Sequence, residues 1–196
     1  MSAQRSSLWW LPNALSAGRL AMAPLIVVCV WFQAHTLFLV ALTIAVLSDA
    51  VDGAVARAIG ESSTLGAKLD SWGDFALYLT VPIGVAFLWP DLVARERPWV
   101  IALIAAFLIP VSLGFLKYHR LTSYHTYLAK TVAVVVPFTG VVLLLDGPAW
   151  PFHVGVVLLG ISALEEVALT LTLPVWRANV GSILHVMRER NDSHIQ

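Results

Sequence analysis

Charge is scarce in this sequence. Only 12% of its 196 residues are Asp, Glu, Lys or Arg, against about a quarter in an average soluble domain. Hydrophobic residues make up 59% of the chain, and the mean hydropathy is +0.81. A soluble globular fold is disfavoured by these figures. Disorder is excluded by them, because it needs low hydrophobicity and high net charge. A disulfide framework is excluded by the single cysteine, Cys29. Twelve cations balance twelve anions, so no net basic charge points to nucleic acid, and no nucleic-acid partner is expected. What remains is an all-α integral membrane protein.

At roughly 20 residues per span, the length allows six transmembrane helices in a single domain over residues 1–196. The apolar stretches between turn signals run about 18–33, 36–57, 69–90, 98–116, 128–146 and 151–174. The signals are Gln33-Ala34-His35, Trp89-Pro90-Asp91, Arg97-Pro98 and Asp146-Gly147-Pro148. Trp31, Trp89, Trp99, Trp150 and Trp176 fall near proposed span ends, where amphipathic rings prefer to sit. Residues 1–17 contain Leu8-Trp9-Trp10-Leu11 and read as an N-terminal interfacial helix lying on the membrane. A signal peptide is the rival reading, but no small-residue cleavage site follows a clear apolar core.

The few cations are unevenly placed. With six spans, one side holds Arg5, Arg19, Arg57, Lys68, Lys117, Arg120, Lys130, Arg177, Arg188 and Arg190, and the other only Arg95 and Arg97. The positive-inside rule then makes both termini cytoplasmic.

The acids are more telling still. Asp49 and Asp52 lie near the end of the second apolar stretch, and Asp70 and Asp74 near the start of the third. Carboxylates at membrane depth are expensive and mark functional sites by default. Asp49 and Asp52 are spaced i, i+3, with Gly53 and Ala56 on the same helical face. Asp70 and Asp74 are spaced i, i+4. An antiparallel pairing through the loop 58–68 brings both acidic ends to the cytoplasmic side. Four converging carboxylates repel strongly at low dielectric, and Arg57 and Lys68 supply only two cations. One or two divalent ions are the natural remedy, and all-oxygen ligands favour Mg²⁺, Mn²⁺ or Ca²⁺ over Zn²⁺. Gly53 and Ala56 leave room for a substrate, and Arg57 is placed to meet a phosphate. Such a set suits a phosphoryl-type displacement, in which metals clamp the attacking and leaving oxygens. A charge-paired hairpin with a purely structural role is the plainer reading, and the surplus of acids over cations weighs against it.

The pattern Asp49-x2-Asp52-Gly53-x2-Ala56-Arg57-x8-Gly66-x3-Asp70-x3-Asp74 resembles the signature of the CDP-alcohol phosphatidyltransferases at every one of its eight fixed positions. Upstream, Pro12-Asn13-Ala14-Leu15-Ser16-x2-Arg19-x4-Pro24 is similar to the run that leads into that family's first span. The resemblance implies transfer of a phosphatidyl group from a CDP-linked lipid, CDP-diacylglycerol, to an alcohol, with release of CMP. It implies a centre of two Mg²⁺ or Mn²⁺ ions on Asp49, Asp52, Asp70 and Asp74, with Asp74 also taking the proton of the acceptor hydroxyl. Asp52, Gly53, Ala56, Arg57, Gly66 and Asp70 would shape the CDP-lipid pocket. It further implies a homodimer among membrane lipids, in a bacterial-type inner or plasma membrane, with a cytoplasmic active site.

A second polar cluster, from Lys117 to Thr131, lies between the fourth and fifth stretches. Lys117, Arg120, His125 and Lys130 are the candidates for binding the acceptor. A positive-inside loop on anionic headgroups is the alternative. Family members that make phosphatidylglycerol phosphate usually carry arginines in the fourth span and a Lys-x-Lys-Thr leading into the fifth. Here Ile101–Pro110 has no arginine, and only Lys130-Thr131 of the latter motif is present, with Leu128 at its first position. The acceptor is therefore open among glycerol phosphate, inositol or its phosphate, serine, choline-like alcohols and another phospholipid. Glu165 and Glu166, mid-way along the sixth stretch, point about 100° apart and read as structural. A divalent-cation or proton-coupled transporter is the rival from another class, but its acids would span the membrane instead of clustering at one side.

Overall fold

The computed structural model describes residues 11–59, 64–119, 124, 126–175 and 180–183. Within its helices the side chains of 11–17, 19, 49–59, 64–71 and Asp74 lie outside the description. Every regular element among the described residues is a helix. The chain divides after Arg95 into two compact units.

The first unit holds α1 (Leu11–Trp31), α2 (His35–Ile59), α3 (Thr64–Leu88) and the short α4 (Pro90–Arg95). Helix α1 packs against both α2 and α3. Their shared core contains Ala23, Ile26 and Cys29 of α1, Phe38, Ala41, Leu42 and Ala45 of α2, and Leu88 of α3. The turn from α1 to α2 is tight. Gln33 takes a left-handed conformation, with φ of 52°, and the Ala34 amide donates to the Cys29 carbonyl at 2.8 Å. One close approach fixes α2 against α3. A Cβ added to Gly84 would lie 2.5 Å from the ring of Phe38, which is fully buried. Glycine at 84 lets the aromatic ring rest on the α3 backbone.

The second unit holds α5 (Arg97–Tyr118), α6 (Tyr127–Leu144) and α7 (Trp150–Thr172), with α5 and α6 both packed on α7. Pro98 and Pro151 sit in the first turns of α5 and α7, where a missing N–H costs nothing. Thr126 caps α6 by accepting from the Ala129 amide at 3.1 Å. At the far end of α6, Asp146 is left-handed and the Gly147 amide donates to the Val142 carbonyl at 3.0 Å. Gly155 brings α7 close to α6, since a Cβ there would lie 3.0 Å from Thr139 Oγ1. The start of α5 is tied to α7 by Glu96, whose Oε2 lies 2.7 Å from His153 Nε2, with Trp99 stacked on the imidazole at 4.3 Å.

Helices α5, α6 and α7 are each long and apolar enough to cross a bilayer. In α1, α2 and α3 the described apolar stretches are shorter: Leu20–Trp31, His35–Ser48 and Phe75–Leu88. The outward faces of the three long helices carry Phe107 and Leu116 on α5, Val134 and Phe138 on α6, and Leu164 and Leu171 on α7, all exposed. Surfaces of that kind belong in lipid. Trp31 and Trp150, at helix ends, are 83% and 66% exposed, as interfacial rings should be.

Three details depart from the sequence reading. Helix α1 is already formed at Leu11 and runs unbroken through residues 17 and 18. The proposed boundary between an interfacial helix and a first span is therefore absent from residue 11 onward. Pro12 falls in the first turn and stops nothing, while residues 1–10 lie outside the described residues. The loop 58–68 is mostly helix, because α2 continues to Ile59 and α3 begins at Thr64. The polar residues there extend the helices past their apolar stretches. Helix α4 occupies what was read as a plain connection, with Pro90 at its start, Asp91 in the first turn and Arg95 in the last, each on the side the helix dipole favours.

Candidate active site

All eight signature residues stand on two helices of the first unit. Asp49, Asp52, Gly53, Ala56 and Arg57 lie on the second half of α2, and Gly66, Asp70 and Asp74 on the first half of α3. The extension of α3 back to Thr64 makes Gly66, Asp70 and Asp74 an unbroken i, i+4, i+8 series, one residue per turn. Their side chains, with those of the α2 residues, lie outside the described residues, so the helices place these positions without their contacts.

The described contacts at the opposite end of the same two helices supply the register. His35 Nε2 donates to the Leu88 carbonyl at 2.8 Å, and the Phe38 ring rests on Gly84. The Trp89 ring meets both, 4.9 Å from His35 and 5.4 Å from Phe38. Helices α2 and α3, each packed along α1, touch one another at this end, with Phe38 beside Gly84. Both advance about 1.5 Å per residue. Counting from that pair, Asp49 stands level with Gly73 and Asp74, and Asp52 level with Asp70. By that count the four positions fall within about a turn of one another along the helix axes. Asp49 is about 15 Å from the Ile59 end of α2. Sequence reasoning expected this pairing from the loop. It missed the clasp that sets it, and a histidine and an aromatic just after a tight turn were its only signal.

Among the described side chains, no three His, Cys, Asp or Glu gather as metal ligands. The donor set that fits a metal is the signature one. Its four carboxylates outnumber the two cations of the same helix segments, Arg57 and Lys68, and carboxylate oxygens are the hard ligands that Mg²⁺ and Mn²⁺ take.

The second unit gathers a different polar group where α5 and α7 end. The Lys117 ammonium donates to the carbonyls of Thr170, Leu171 and Leu173 at 2.6, 3.3 and 2.9 Å. The Tyr118 hydroxyl lies 3.2 and 2.7 Å from the carbonyls of Thr170 and Leu173. The last turn of a helix leaves carbonyls without intrahelical donors and carries partial negative charge. Lys117 answers both needs from a neighbouring helix, and all its protons are taken up in doing so. Tyr124, almost fully buried, shares a 2.9 Å hydrogen bond with the Thr170 hydroxyl. Burial pushes its phenol well above the usual range, and the Thr170 bond only partly offsets that. Of the other acceptor candidates, Lys130 is exposed on the first turn of α6, while Arg120 and His125 lie outside the described residues.

Lys117→Met should lower the unfolding midpoint in detergent by a few degrees, from loss of about 1–2 kcal/mol of charge-assisted capping. Lys117→Arg should recover most of it. An unchanged midpoint with weakened acceptor binding would instead place this ammonium on the acceptor.

The model of the CDP-alcohol phosphatidyltransferase family matches residues 9–181 of the chain. The protein belongs to that family. The match runs across both units and takes in every signature residue on α2 and α3. No curated protein and no solved structure matches the chain. As a CDP-alcohol phosphatidyltransferase, the protein is a transferase of phospholipid synthesis that moves a phosphatidyl group from a CDP-alcohol. Its apolar helices fit an integral membrane protein.

Proposed function

We propose that this CDP-alcohol phosphatidyltransferase uses CDP-diacylglycerol as donor and a small alcohol or alcohol phosphate as acceptor, releasing CMP. What supports the reading is the family match, together with the helical spacing of Asp49 and Asp52 on α2 and of Asp70 and Asp74 on α3. With six spans, the ten-to-two cation bias supports a cytoplasmic side for both termini and for the four aspartates. A bacterial-type inner or plasma membrane and a homodimer follow from the family resemblance.

Asp49, Asp52, Asp70 and Asp74 would hold two divalent ions, Mg²⁺ or Mn²⁺. Bound there, such ions would neutralise charge on the attacking oxygen of the acceptor and on the leaving oxygen of the diphosphate. The chain's own residues do the rest. Gly53, Ala56 and Gly66 carry little or no side chain, so the nucleotide and its diphosphate can approach the helix backbone. Arg57 pairs with a phosphate in its planar, bidentate fashion. Asp74 accepts the proton of the acceptor hydroxyl as its oxygen bonds to the phosphatidyl phosphorus. The bond from that phosphorus to the bridging oxygen breaks, and CMP leaves with the electron pair. Arg120, His125 and Lys130 bind the acceptor, while Lys117 holds the helix end beside them.

The test is CMP release from CDP-diacylglycerol by the purified protein with Mg²⁺ or Mn²⁺ against a panel of acceptors: glycerol phosphate, inositol, inositol phosphate, serine and choline. Release that depends on one acceptor supports the reading. No release with any donor or acceptor, in a protein that moves divalent cations into vesicles, would overturn it in favour of a transporter.

A further inference from the structure

Glu165 is costly where it stands. It lies on α7 about two turns before the Thr172 end, roughly 10 Å inside a spanning helix. One carboxylate oxygen has a partner from far along the chain. The Ile183 amide donates to Glu165 Oε1 at 3.2 Å. The other oxygen, Oε2, is buried without a hydrogen-bond partner among the described residues.

The donor belongs to a segment that returns along the unit after α7. The Val180 amide donates to the Tyr124 carbonyl at 3.1 Å, and the Tyr127 amide donates to the Gly181 carbonyl at 3.1 Å. The first bond is donated by the returning segment and the second is accepted by it, so the two segments are joined in both senses. Val180 and Ile183 pack against the buried cluster of Tyr124, Leu169 and Leu173, alongside Tyr118. Residues 180–183 therefore tie the connection between α5 and α6 on one side and Glu165 on the other. That connection is the stretch to which the acceptor-binding residues were assigned from sequence.

We propose that residues 180–183 form a strap anchored by Glu165, and that the strap positions the α5–α6 connection for the acceptor alcohol. Glu165 is then a positioning residue that touches neither substrate. The inference rests on the phosphatidyltransferase reading for its link to the acceptor, but the strap is measurable without turnover. Its energetics are favourable only as a set. An unpaired backbone amide at Ile183 would be costly, and Glu165 supplies its acceptor where no carbonyl is free on a helix interior.

Two variants and one control test this in the full chain. Glu165→Leu and Ile183→Pro each remove one partner of the anchoring bond. Glu165→Gln keeps an oxygen for the Ile183 amide. The first readout is hydrogen exchange at the Tyr127 and Val180 amides. Glu165→Leu should speed it by about tenfold, the worth of one lost hydrogen bond, and Glu165→Gln should leave it unchanged. The second is CMP release with glycerol phosphate, inositol and serine each titrated as acceptor. Glu165→Leu and Ile183→Pro should raise the acceptor KM about tenfold, with the KM for CDP-diacylglycerol within about twofold of the parent. Unchanged exchange in Glu165→Leu overturns the strap, whether or not the protein turns over. Faster exchange with an unmoved acceptor KM, or with both KM values raised together, overturns the positioning role. Faster exchange in a protein whose parent form releases no CMP overturns the link to the acceptor and the phosphatidyltransferase reading while leaving the strap in place.

Discussion

Asp74→Asn should cut CMP release by at least about a hundredfold while CDP-diacylglycerol still binds, because removing a positioned general base costs roughly that or more. Asparagine keeps the size of the side chain and one oxygen, so α3 and its packing are retained. What it loses is the negative charge that draws a proton from the acceptor hydroxyl. Binding of the lipid nucleotide, followed by equilibrium titration, separates this loss from damage to the pocket. Because Asp74 is also assigned to the metal centre, Asp49→Asn serves as the comparison. Loss of metal affinity should dominate there, so raised Mg²⁺ should recover part of the rate. Asp74→Asn should not recover with added metal. Near-normal turnover in Asp74→Asn would remove Asp74 from the role of base.

Stripping divalent ions should have an effect at least as large. With a chelator present, CMP release should fall by on the order of a thousandfold, the several kcal/mol that metal ions contribute to phosphoryl-type transition states. Mg²⁺ or Mn²⁺ should restore it, and Zn²⁺ should not. A second consequence is independent of catalysis. Four carboxylates on one level of a helix pair repel when nothing neutralises them. Chelation should therefore lower the unfolding midpoint, and Asp70→Asn should raise the midpoint of the metal-free protein by relieving that repulsion. A chelated protein that keeps its rate, and a metal-free Asp70→Asn protein no more stable than its parent, would count against the four-aspartate centre.

The parts of this molecule that could be read from sequence are those where chemistry repeats at helical spacing. The aspartates announce themselves because acids are rare and costly in apolar helices, and because i, i+3 and i, i+4 spacing says which face they share. The apolar stretches of α5, α6 and α7 were legible for the same reason, and their ends fall within a few residues of the turn signals. Lys117 was not legible as a helix cap. Its partners are carbonyls more than fifty residues away, and a carbonyl is carried by every residue, so no letter in the sequence marks it. The same holds for the Glu165 bond to the Ile183 amide. Helix α4 escaped because six residues are too few to show a period. No break falls near residue 17, because a helix continues through Ser16, Gly18 and Arg19 when nothing there forbids its dihedrals.

The clasp of His35 and Phe38 on Leu88 and Gly84 also has a mechanical side. A bilayer that thins or thickens asks its helices to tilt and slide. Sliding α2 against α3 by one residue would shift Asp49 and Asp52 by about 1.5 Å relative to Asp70 and Asp74, enough to spoil a site that must be held to about half an ångström. An aromatic ring seated on a glycine, with a hydrogen bond beside it, resists shear far better than an apolar seam alone. A ring seated at one end of α2 and α3 opposes that slide, so a contact far from the aspartates bears on their register as the surrounding lipid changes.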